Sequence, residues 1–188
     1  EDFAENDVQE FYKGSARLAL ELKEPFDRYV FVDTSEDAVS ELDRLRTEYG
    51  ERAIEVVRGD ANAYLREFCA KMKPTDRAVV FLDPFGMQTD WSTIEVVART
   101  KKIDLWALVP VGQAVVRMMP TGAFPPPQWS AKLSRFLGSE DWRNLYSTRT
   151  KQTLFGPEES VARGGLAEIQ NYIVARWNGF SDALYYVS

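Results

Sequence analysis

The chain has 188 residues, a net charge of −6, no histidine and one cysteine. That length suits a single domain with a full hydrophobic core, and 45% apolar with 28% charged residues is a globular balance. The missing histidine excludes Ser-His-Asp and Cys-His catalysis and every His-ligated metal, and Cys69 alone excludes an internal disulfide or an intrachain Zn–Cys cluster. Carboxylates, Lys, Tyr, Ser and Thr remain as catalytic groups. A lone cysteine fits a reducing, cytoplasmic setting. No apolar run approaches the ~20 residues that span a bilayer and no signal peptide is visible, so no membrane association is expected. Glu1 stands where a Met would start a chain, which suggests a trimmed N-terminus.

The opening "EDFAENDVQEF" is acidic and weakly periodic, and reads as a frayed helix or an arm. In "GSARLALEL", Leu18 and Leu22 stand at helical spacing behind Ser15 as N-cap. Glu24 and Pro25 mark a surface turn. "RYVFVD" is a strand ending in Asp33. "SEDAVSELDRLRTEY" is a helix capped by Ser35, with Ala38, Leu42, Leu45 and Tyr49 on one face and Gly50 as its stop. "AIEVV" is a strand that runs into "RGDANAYL", where a helix begins with Leu65, Phe68, Cys69 and Met72 inward and Pro74 at its end. "RAVVFLD" is a near-continuous apolar strand, the pattern of a parallel strand buried on both faces. "DWSTIEVVARTKK" is a helix with Asp90 as cap, and "DLWALVPVG" a further buried strand.

Strand and helix alternate through the first ~110 residues. The expected fold class is α/β, a doubly wound, mostly parallel sheet in one domain over 1–188. After Gly112 the rhythm changes. "MMPTGAFPPPQW" reads as a loop or lid, and "PQWSAKLSRFLG" and "SEDWRNLY" as short helices with Trp129, Leu133, Phe136, Trp142 and Leu145 inward. "TKQTLFGPEES" reads as a connector, "EESVARGGLAEIQNYIVARWNGF" as a helix weakened by Gly164-Gly165, and "ALYYVS" as a late strand. Residues 113–160 are thus expected to form a helical insertion or lid.

Three aspartates end three of these strands or their exit turns: Asp33, Asp60 and Asp83. In an open α/β sheet ligands bind beyond the carboxyl ends of the strands. Asp33 suits a ribose diol, its two oxygens matching two hydroxyls; as a local role it suits a cap for the next helix. "GDAN", with Asp60 and Ala61, suits an adenine-side loop or an ordinary turn. "LDPFG" says most. Pro84 fixes φ and extends Asp83, Phe85 offers a flat apolar face, and Gly86 permits close approach of a substrate. An acceptor beside a stacking face suits a planar base with an exocyclic amine; a buried turn is the alternative. Gln88, Asp90 and Trp91 lie near enough to line the same mouth, with Trp91 better suited to core packing. Asp33, Asp60, Asp83 and Asp90 together would alternatively suit Mg²⁺ and phosphoryl transfer.

"GSARLALEL", "PFDRYVFVD", "GDAN", "VVFLDPFGMQTDW", "DLWALVPVG", "FLGSEDWRNLY" and "TLFG" follow one another in this chain. In that order they resemble the three-Cys-motif partner proteins, from about residue 14 onward. That family is similar to class I S-adenosylmethionine-dependent methyltransferases with a Rossmann-like domain. The resemblance implies S-adenosylmethionine as cofactor, with Asp33 on its ribose and Asp60 and Ala61 beside its adenine. It places Asp83, Pro84, Phe85 and Gly86 where amine methyltransferases carry Asp-Pro-Pro-Tyr, with Gln88 and Trp91 on the substrate side. It implies an amine acceptor, such as that of a nucleic acid base, or a non-catalytic role beside a radical-SAM-like three-cysteine protein. Two departures stand out. The aromatic is third in the tetrapeptide rather than fourth, and no Gly-rich strand and turn precede "GSARLALEL". A central strand between 28–33 and 77–83 is therefore expected from upstream sequence or from another segment.

Overall fold

The computed structural model describes residues 14–83, 87–109, 111–153, 156–178 and 184–187. The chain divides into two compact units, Glu1–Tyr64 and Leu65–Ser188. Both are mixed α/β with small parallel sheets. The acidic opening segment lies outside the described residues.

In the first unit, β-branched and aromatic side chains set two short strands, β1 (Tyr29–Asp33) and β2 (Ile54–Arg58). They pair in parallel from Tyr29↔Ile54 to Asp33↔Arg58. The 13-residue helix α2 (Glu36–Glu48) connects them as a βαβ unit. Ser35 caps α2 by accepting a hydrogen bond from the Ala38 amide at 3.4 Å, as its sequence position predicts. Ala38, Leu42, Leu45 and Tyr49 are half-buried, and no residue of α2 is fully buried. The short helix α1 (Ser15–Leu20) departs from expectation. Ser15 is its first helical residue, Gly14 is the N-cap and makes no side-chain cap bond, and Leu20 is buried where Leu18 and Leu22 are exposed. At six residues the helix is too short for spacing alone to select its inner face.

Polar ties hold these elements. The Arg17 guanidinium donates to both Glu48 carboxylate oxygens, at 2.5 and 2.7 Å, and to the Tyr49 hydroxyl at 3.1 Å. That hydroxyl donates in turn to Glu21 at 3.1 Å. The pair raises the Arg17 pKa above its ordinary value and holds the Glu48 carboxyl below the usual glutamate range. Across the strands Arg28 meets Glu55, and Arg58 meets Glu36 of α2 at 3.1 Å.

The second unit begins within helix α3 (Ala61–Lys71) and builds a parallel sheet of order β3-β4-β7 from β3 (Ala78–Leu82), β4 (Ile103–Leu108) and β7 (Leu184–Val187). Helix α4 (Trp91–Thr100) joins β3 to β4. The late strand thus forms as expected, beside β4. β3 is not buried on both faces. Leu82 is buried and Ala78 and Val80 pack on the core, whereas Val79 and Phe81 are each 47% exposed. A continuous apolar run cannot show which of its alternating faces the fold covers.

Beyond β4, a π turn (Val111–Val115) and a 3-10 turn (Val116–Met118) lead to helix α5 (Pro127–Leu137) and a 3-10 turn at Asp141–Leu145. There the helical expectation for 113–160 fails. Strands β5 (Tyr146–Thr153) and β6 (Gly156–Arg163) form an antiparallel ribbon of eight residue pairs. Ser147 to Thr150 and Glu159 and Ser160 are exposed, so the ribbon has no apolar alternation to read. Helix α6 (Leu166–Asn178) starts after the glycine pair rather than across it, and the Gly165 amide donates to Glu168 at 2.8 Å. Trp142, Phe136, Leu133, Ile94, Ile169 and Ile173 fill the core, while Trp129 lies outward at 40% exposure. Arg163 ties the ribbon's root to the 3-10 turn by donating to the carbonyls of Val116 (3.2 Å) and Met119 (2.5 Å). Among the described residues no helix is long and apolar enough to cross a membrane.

Candidate functional site

The first unit brings Asp33 and Asp60 to one edge. Asp33 is the last residue of β1, and Asp60 follows β2 by two residues. The strands are adjacent and parallel, and the Gly59 amide donates to the Asp33 carbonyl at 2.9 Å. Both carboxylates therefore stand at neighbouring carboxyl ends. Each does local work. Asp33 Oδ1 accepts from the Ser35 amide at 2.7 Å, an Asx turn that leaves Oδ2 open among the described residues. Asp60 Oδ1 accepts from the Ala63 amide at 2.8 Å and caps α3, whose first residue is Ala61. The local roles differ from those read in the sequence: Ser35 rather than Asp33 caps α2, and Asp60 caps a helix rather than closing a plain turn. Neither role uses up a carboxylate, since each oxygen carries two lone pairs.

In the second unit Asp83 directly follows β3 and is exposed. Pro84, Phe85 and Gly86 lie outside the described residues. Gln88 is exposed. Trp91 takes its core-packing role and does not line a mouth, which corrects the substrate-side expectation. It is 3% exposed, its ring meets Trp177 edge-on at 5.8 Å, and the Arg176 guanidinium lies 4.3 Å over its face. Gly138, at φ +64°, passes so close that an added Cβ would lie 2.0 Å from Trp91 Cδ1. Arg176 also donates to the carbonyls of Leu137 (2.9 Å) and Gly138 (3.1 Å), closing the end of α5.

Asp90 takes the N-cap position of α4 but makes no side-chain cap bond. Its carboxylate meets two guanidinia instead, Arg135 of α5 at 3.0 Å and Arg66 of α3 at 3.9 Å. Arg66 donates further to Thr93 Oγ1 at 2.9 Å and Ser92 Oγ at 3.4 Å. Sequence reasoning missed both arginines. They lie on different helices, and no local pattern links positions 66 and 135 to 90. Among the described residues no group of three or more Asp, Glu, Cys or His side chains gathers where it could hold a metal ion.

No protein-family model matches the chain, and no curated protein matches it. Among solved structures it is similar to polyneuridine aldehyde esterase, with 14% identity and a TM-score of 0.30, over 79% of this chain and 67% of that one. A likeness at that level carries no argument, and the functional reading rests on the residues themselves.

Proposed function

We propose that the chain is an S-adenosylmethionine-dependent methyltransferase-like protein of the three-Cys-motif partner type, with a doubly wound sheet and an amine as acceptor. The carrying observation is the pair of aspartates at the carboxyl ends of two adjacent parallel strands. Such an edge is where an adenosine is held in open α/β sheets. Asp33 keeps Oδ2 and a lone pair on Oδ1 for a ribose diol, which suits the nucleoside half of the cofactor. Asp60 and Ala61, opening α3, would face the adenine. The cofactor, when bound, supplies a sulfonium methyl group.

Asp83 would accept a hydrogen bond from the acceptor amine and orient its lone pair, so that the protein contributes positioning and charge placement. Asp83 is exposed at the end of its strand, as that role requires. Calorimetry with S-adenosylmethionine and S-adenosylhomocysteine tests the reading. Asp33→Asn keeps the oxygen that serves the Ser35 turn and removes the charge. It is expected to weaken binding by about tenfold, the worth of one charge-assisted hydrogen bond. Equal binding by wild type and variant would overturn the Asp33 assignment, and no binding at all would overturn the reading. Binding without methyl transfer to any nucleic acid base would instead favour a non-catalytic partner of the three-cysteine protein.

A further inference from the structure

We infer that Arg66 and Arg135, held together on Asp90, form a phosphate-recognition fork. Two guanidinia converge on one carboxylate from different helices, at 3.9 and 3.0 Å. The three side chains carry a net positive charge in a chain whose total is −6. Neither guanidinium is spent. Arg66 uses Nη1 on Asp90, Thr93 and Ser92, and Arg135 uses Nε on Asp90. Each guanidinium carries five N–H donors, more than these contacts take up. The arginine side chains are 42% and 58% exposed against 24% for Asp90, so the arginines are open to solvent while the carboxylate they meet is more enclosed.

A surface ion pair exists to satisfy its charges; this arrangement leaves charge over. Asp90 reaches the arginines and makes no cap bond to its own helix. The carboxylate thereby orients two planar donors whose remaining N–H groups match the oxygens of a phosphate. α5 adds to the field. Lys132 precedes Arg135 by three residues, the spacing that shares a helix face, and Pro127–Leu137 contains no Asp or Glu. Ser92, exposed and within reach of Arg66, offers a hydroxyl. The ligand is therefore a phosphate group, of a nucleic acid strand or of a small phosphorylated molecule. The fork stands independently of the proposed methyl transfer.

The test uses the full chain with two probes. A fluorescein-labelled 12-nucleotide oligothymidylate is followed by anisotropy across a salt series, and thymidine monophosphate by calorimetry. Each of R66Q and R135Q is expected to weaken binding by roughly tenfold. The double variant should flatten the slope of log K against log salt by about 1.4, for two lost strand contacts. R135K, which keeps the charge but loses the fork, should recover only part. Oligothymidylate bound far more tightly than the mononucleotide identifies a strand as the source; equal affinities identify a small phosphorylated molecule. Either supports the fork. It is overturned if wild type binds neither probe, if R135Q binds as wild type does, or if an oligo-glutamate peptide competes as well as the oligonucleotide. R135Q alters an exposed side chain and keeps the test open should R66Q fail to fold. Calorimetry of R135Q with S-adenosylmethionine separates the two readings. Retained cofactor binding with lost phosphate binding leaves both standing, and phosphate binding by a protein that never binds the cofactor leaves only the fork.

Discussion

The two units are held by different physics. Among the described residues of Glu1–Tyr64 the buried apolar ones are Leu20 and Tyr29, and the strands and helices are tied by Arg17–Glu48, Arg28–Glu55 and Arg58–Glu36. In Leu65–Ser188 a continuous cluster runs through Trp91, Trp142, Phe136, Leu133, Ile94, Ile169 and Trp177. Exposed ion pairs contribute little to stability, whereas buried aromatic side chains contribute several kcal/mol each. The first unit should therefore open locally at lower free energy than the second. The aspartates proposed to hold a nucleoside lie in the looser unit. A ligand there should stabilise its host unit, by an amount set by its concentration relative to Kd.

All five tryptophans lie in the second unit. Tryptophan fluorescence thus reports the second unit, and hydrogen exchange of the β1 amides reports the first. The largest expected effect is Gly138→Ala. The new Cβ would meet the Trp91 ring at 2.0 Å, and φ +64° is already a strained conformation for alanine. A loss of about 4 kcal/mol is expected in the fluorescence-detected denaturant midpoint, combining overpacking with left-handed strain. Gly122→Ala is its control. It sits at φ +87° with nothing within 4 Å of the added carbon, so only the backbone strain of about 1 kcal/mol should appear. Equal losses from the two would mean that the Trp91 contact does not matter.

Asp60→Ala comes next, removing the cap on the Ala63 amide. A cost of about 1 kcal/mol is expected, read as faster exchange in the first turn of α3. The smallest effect is Arg17→Met in the first unit. Arg17 holds the Glu48 carboxyl below its ordinary range. A depressed folded pKa contributes stability above the unfolded value of about 4.3, and that stability is lost as pH falls through the folded value. β1 exchange should therefore separate wild type from Arg17→Met at neutral pH and converge for the two in acid. A gap that persists at low pH would show that Arg17 acts by packing on Tyr49 rather than through charge.

The strand and helix alternation as far as β4 was legible because its signals are local. β-branched runs, Ser35, Gly50 and Pro74 act within a few residues of where they stand. The positions of Asp33, Asp60 and Asp83 after their strands followed from the same signals. The β5–β6 ribbon was not legible, since the consecutive residues Ser147 to Thr150 are polar and exposed on both faces and so lack the alternation that marks a half-buried strand. Trp91 is buried, as its core reading has it, whereas Trp129, expected inward, is exposed. Hydrophobicity says that a tryptophan prefers burial but not which of several obtains it.

The sequence by itself determined where the chain turns, which segments extend, and that an acid closes each of β1 and β3. Those choices are made by backbone sterics and short-range hydrogen bonds. Only the tertiary structure decided that Asp90 faces Arg66 and Arg135, that Gly138 must be bare against Trp91, and that one face of β3 stays open. Those are contacts between residues tens of positions apart. Their energies depend on how whole elements pack, which no local pattern of residues carries.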